Sequence, residues 1–119
     1  MTLPELVQLL KTIKRVVNGV EEPIPIAYSH FTQTTENPMP SPPFICYLDQ
    51  DSDNFSADNK TYHEVENVDI ELYFKKKDLA LEKQIKNLLI ENELPYEKTP
   101  SIWIESEGVF QCVFSITLI

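Results

Sequence analysis

Between Tyr62 and Leu94 the hydrophobic period of this chain changes once, and that change limits the folds open to it. Val68, Ile70, Leu72 and Phe74 alternate with Asp69, Glu71, Tyr73 and Lys75, the two-residue period of a strand with one dry face. Beyond Asp78 the spacing lengthens. Leu81, Ile85, Leu88 and Leu89 recur at three and four, with Glu82, Lys83, Lys86 and Asn87 on the other side, which is the signature of an amphipathic helix. Asp78 is placed to cap its first turn, Glu82 and Lys86 form a favourable four-apart pair, and Pro95 closes it. A strand over 62–76 and a helix over 79–93 therefore offer complementary apolar faces, and the remaining segments are expected to add to that pair.

Leu3, Leu6, Val7, Leu10, Ile13 and Val17 also fall at helical spacing. With Thr2 as cap, Pro4 in the first turn and Asn18-Gly19 as the stop, they predict a first helix over 4–18. A short edge strand is expected after Pro25. Residues 32–43, TQTTENPMPSPP, read as a proline-rich surface loop. Phe44 to Leu48 is an uninterrupted apolar strand suited to the sheet interior, and 49–61 reads as an acidic loop. Ile102 to Ile104, the turn Glu105-Ser106-Glu107-Gly108 and the long alternation from Val109 to Ile119 complete a hairpin. The expected fold is a single α+β domain over 1–119, a mainly antiparallel four- to five-stranded sheet with two helices packed on one face.

The chemistry of the sequence points away from catalysis. His30 and His63 lack neighbours that would make a triad, and nothing resembles a nucleophile elbow. Asp49, Asp51, Asp53 and Asn54 imitate the start of a calcium loop, but the sixth position lacks glycine and Lys60 stands where the bidentate glutamate belongs. Only two glycines occur, so no phosphate-cradling loop is present, and Lys75-Lys76-Lys77 reads as a polar strand end. No cofactor or metal is expected. Cys46 and Cys112, widely spaced within strands, are expected to be buried and reduced. The net charge of −9 opposes gripping nucleic acid. No apolar run is long enough for a membrane span, and the start lacks a leader peptide, so residence inside a cell is expected. Trp103 and Tyr47, between apolar neighbours, are expected in the core. Tyr73, sharing a face with Asp69 and Glu71, and Phe55, alone among polar residues, are the better interface candidates.

Residues 43–119 resemble a small protein family of tailed phages and prophages of Gram-positive bacteria, the tail terminator or tail-completion (head–tail joining) proteins. The resemblance is carried by Phe55, Ala57, Asp58, Asn59 and Tyr62, by Glu71, Leu72, Tyr73, Lys77, Asp78 and Glu82, and by the closing Glu105-Ser106-Glu107-Gly108. It implies a non-enzymatic α+β subunit forming a ring, commonly a hexamer, that caps the tail tube and meets the head-side connector while DNA passes through without specific binding. Its expected location is the bacterial cytoplasm during assembly, then the head–tail junction of the virion. The interface candidates are Phe55, Asp58, Asn59, Tyr73, Asp69, Glu71 and Met39. The competing expectations are a small monomeric protein-binding module and a small hydrolase built around His30 or His63.

Overall fold

A computed structural model describes residues 1–31, 40–57 and 60–118, with side chains described outside 50–65. Within these, the chain order is α1 (Leu3–Leu10), β1 (Lys14–Val17), β2 (Val20–Pro23), β3 (Ile26–Tyr28), β4 (Phe44–Ala57), β5 (Lys60–Phe74), α2 (Leu79–Glu91), β6 (Tyr96–Lys98), β7 (Ile102–Ile104) and β8 (Val109–Leu118). The fold is α+β. Among the described residues one sheet has six strands, ordered β3-β4-β5-β8-β6 with β7 also on β8, and β1 and β2 form a separate hairpin. The sheet is thus larger than the four to five strands expected. All its pairings are antiparallel except β3 with β4.

β5 is the spine. Its residues Glu66–Phe74 pair with β8 on one side, and the same stretch from Glu66 pairs with β4 on the other. Its dry row, Val68, Ile70, Leu72 and Phe74, is at most 3% exposed. That row joins Ile45 of β4 and Cys112, Phe114, Ile116 and Leu118 of β8 in one buried cluster. Leu6 and Leu10 of α1 and Leu81, Ile85, Leu88 and Leu89 of α2 belong to the same cluster. Each fully buried aliphatic side chain here is worth about 1.5–3 kcal/mol of transfer free energy.

Both helices begin with caps that their sequences announce. Thr2 accepts from the Glu5 amide at 3.3 Å and donates to the Glu5 carboxylate at 3.1 Å, satisfying part of the open first turn. Asp78 accepts from the Leu81 amide at 3.1 Å. α1 stops at Leu10 rather than at Asn18. Asn18 and Gly19 have φ of 53° and 79°, the paired positive values of a two-residue hairpin turn, and Val17 sits opposite Val20. The β-branched residues around that turn favour a strand. The hairpin is held to α2 by Gln84, whose side-chain amide donates to the Lys14 carbonyl at 2.6 Å and accepts from the Lys14 amide at 3.1 Å.

Four other expectations are corrected. The segment expected as an acidic loop over 49–61 continues β4 to Ala57 and begins β5 at Lys60, because ladder pairing with β5 supplies the backbone partners that its polar side chains do not signal. The proline-rich loop falls partly outside the described residues, at 32–39. Trp103 is half exposed rather than core, since β7 lies on the β8 margin. Tyr47 is only partly buried, meeting Tyr28 edge-on at 5.4 Å. Glu82 is 3% exposed and pairs with Lys77 at 3.0 Å and Lys98 at 3.5 Å, not with Lys86 across a wet face. Cys46 and Cys112 are both buried and free, as expected.

Two stability measurements follow from these positions. Nothing lies within 4 Å of a Cβ built on Gly19, so Gly19→Ala meets backbone strain alone and should cost about 1 kcal/mol in urea unfolding. Unchanged stability would mean that the turn relaxes. Glu82→Gln should cost about 1–3 kcal/mol, because two lysines lose their buried counter-charge. A neutral result would show that water reaches both amines.

Candidate interaction surface on the open sheet face

The alternation that sends Val68, Ile70, Leu72 and Phe74 into the core turns Asn67, Asp69, Glu71 and Tyr73 to the opposite face of β5. Register places Phe44, Cys46 and Leu48 of β4 beside Tyr73, Glu71 and Asp69, and Gln111, Val113 and Ser115 of β8 on their other side. The structure therefore brings together three of the seven expected interface residues: Asp69, Glu71 and Tyr73.

These groups are bonded to one another across the strands. The Tyr73 hydroxyl donates to Glu71 Oε1 at 3.2 Å and accepts from Gln111 Nε2 at 2.9 Å, while the same Nε2 donates to Glu71 Oε2 at 3.2 Å. Ser115 Oγ donates to Asp69 Oδ1 at 2.8 Å, and Thr117 Oγ1 donates to Asn67 Oδ1 at 3.0 Å. The Tyr73 ring stacks on Phe44 at 5.0 Å, 24° from parallel. Such cross-strand pairs stabilise a sheet by about 0.2–1 kcal/mol each. A cleft of about 510 Å³ borders this ladder, lined by Asn67, Asp69, Glu97, Ser115 and Thr117 among others. Tyr73 is thus a braced, half-buried ring rather than a free anchor.

Burial disfavours ionisation on this face. It pushes the Glu71 carboxyl above its ordinary range, helped by the charge of Asp69 and opposed by the Tyr73 hydrogen bond. Burial and then Glu71 raise Tyr73 to about 12. Burial, followed by Glu71 and Glu107, lifts Cys46 to about 11, so it stays a thiol at neutral pH, the inert form. His30 meets Ser29 through Nδ1 at 3.2 Å on the exposed surface. Among the described residues no three His, Cys, Asp or Glu side chains are grouped to hold a metal. The arrangement supplies shape and hydrogen bonding, the materials of a contact surface.

The remaining candidates lie elsewhere. The Phe55 backbone sits in β4 opposite His63, with its side chain outside the described set. Asp58, Asn59 and Met39 lie outside the described residues. Gln111, Ser115 and Thr117 went unrecognised in the sequence as partners of this face; the signal was their alternation on the last strand. A second patch was also missed. Ile102 and Trp103, 56% and 50% exposed, sit on β7, with Trp103 edge-on to Phe110 at 4.9 Å.

Because the folded chain holds Glu71 above its unfolded value, its proton binds more tightly in the folded state. That contribution to stability is complete below the unfolded carboxylate pKa and is lost as pH rises through the folded one. Glu71→Gln should therefore raise the melting temperature at pH 7 by about 1–2 °C, Gln111 turning its amide to match, with the advantage fading towards pH 4. An advantage constant across that range would remove ionisation as its cause. Comparison with protein-family models matched none to this chain, and comparison with curated proteins gave no significant match.

Proposed function

We propose that this chain is a structural subunit of a phage or prophage tail, a terminator or completion protein that assembles as a ring, caps the tail tube and joins it to the head connector. It performs no catalysis. The resemblance of residues 43–119 to that family supports the reading, and the observation that carries it is the outer part of the β4–β5 hairpin. The pairing of β5 with β8 begins at Glu66, opposite Leu118, whereas β4 continues with β5 through Ser52–Ala57. Among the described residues that outer ribbon has two strands and no third. An isolated two-stranded ribbon is marginal in water, and both its edges offer unpaired backbone groups. A neighbouring subunit would supply what it lacks.

The charge of −9 fits a lumen that repels DNA phosphates and lets the duplex slide. No helix among the described residues is long and apolar enough to cross a membrane. The proposed partners are copies of this chain, the tail tube protein and the connector. The site of action is the bacterial cytoplasm and then the head–tail junction. The exposed Ile102 and Trp103 favour a second reading, a monomeric module that docks a single protein through that edge.

Light scattering over a concentration range, with and without tail tube protein, separates the two. A ring gives a discrete higher mass in at least one condition, and Phe55→Ser should weaken assembly on the order of tenfold while leaving the circular dichroism intact. A single mass of one chain throughout would sink the ring reading.

A further inference from the structure

At the far end of β5 from the two-stranded arm, the chain gathers positive charge. Four of its ten basic residues, Arg15, Lys75, Lys76 and Lys77, line one cleft of about 390 Å³. Val16, Val17, Pro42, Pro43 and Phe74 supply its apolar wall, and Asp78 is its one acid. Three of these charges are partly engaged. Arg15 pairs with Glu22 at 3.5 Å, Lys77 with Glu82 at 3.0 Å, and Asp78 caps α2. Lys75 and Lys76 are exposed. Among the described residues the Arg15 Nε atom is buried without a hydrogen-bond partner, an unmet donor on a residue that lines the cleft.

The arm has the opposite charge. Residues 50–65 hold Asp51, Asp53, Asp58 and Glu64 against Lys60, together with the aromatic residues Phe55 and Tyr62. Cleft and arm sit at the two ends of one strand. Fifteen residues of β5 span roughly 50 Å, and the molecule is 56 Å long. A chain therefore cannot fold its own arm into its own cleft.

We infer that the basic cleft of Arg15 and Lys75–Lys77 receives the acidic β4–β5 arm of a second copy. The contact is head-to-tail, so each subunit offers one donor end and one acceptor end. Contacts of that kind close into rings when the rotation permits and otherwise run on as filaments. Opposite charge at the joint also answers a difficulty of composition, since copies carrying −9 repel unless unlike patches meet. The inference rests on the self-association proposed above and names the surface that mediates it.

The test reverses charge at each end and leaves Lys77 in place because it holds Glu82. Lys75→Glu/Lys76→Glu and Asp51→Lys/Asp53→Lys should each abolish the higher mass in light scattering. Mixed one to one, the two variants should regain the higher mass as alternating copies, because the intact arm meets the intact cleft and the reversed arm meets the reversed cleft; this also shows that both are folded. All four changes in one chain should restore assembly. Raising salt from 50 to 500 mM should weaken the wild-type association on the order of tenfold. A wild type that stays a single chain up to millimolar concentration, both with and without tail tube protein, overturns self-association and the docking with it. An oligomer indifferent to both reversals overturns only the docking. Duplex DNA binding that is lost in Lys75→Glu/Lys76→Glu, with assembly untouched, would make the cleft a phosphate site instead.

Discussion

The double-sided pairing of β5 is the constraint from which the rest of the molecule follows. A strand hydrogen-bonded on both sides has no freedom of register, because a slip of one residue would exchange its faces. Val68, Ile70, Leu72 and Phe74 would then meet water, and Asp69 and Glu71 would enter the core. Fixing that register seats both helices, since their buried leucines and isoleucines share a cluster with the dry row. It also sets the cross-strand ladder on the other face, where Gln111 and Ser115 reach their acidic partners only in this alignment.

Glu82 shows how the apolar side accommodates a charge. It lies on the stripe of α2 that also carries Ile85 and Leu89, and a carboxylate there without partners would be strongly unfavourable. Lys77 arrives from the end of β5, its amine also within 5.5 Å of the Phe74 ring centre and bonded to Ser101. Lys98 arrives from β6. One buried acid thus ties α2 to the end of β5 and to β6.

How much of this was legible varied with the strength of the local signal. The β5–α2 pair could be read because its periods are clean and its apolar residues abundant. α1 was over-extended because Ile13 and Val17 suit a helix as well as a strand. The deciding feature was Asn18-Gly19, a dipeptide that ends helices but more specifically turns hairpins. The outer half of β4 could not be read, since Asp49–Ala57 has no hydrophobic period and becomes a strand through long-range pairing. β6, three residues between Pro95 and Pro100, is similarly silent. Glu82 was assigned to water although its spacing from Ile85 and Leu89 put it on the dry stripe. Of the surface, sequence placed Asp69, Glu71 and Tyr73 together correctly, but their bonded partners required register, and Trp103 required knowledge of which strand lies at the margin.

The two cysteines occupy strands on either side of β5, Cys46 opposite Glu71 and Cys112 opposite Leu72. They consequently face opposite sides of the sheet, two strand spacings or roughly 9.6 Å apart. That separation exceeds the reach of a disulfide. The fold can therefore pass between reducing and oxidising surroundings without acquiring a crosslink between Cys46 and Cys112.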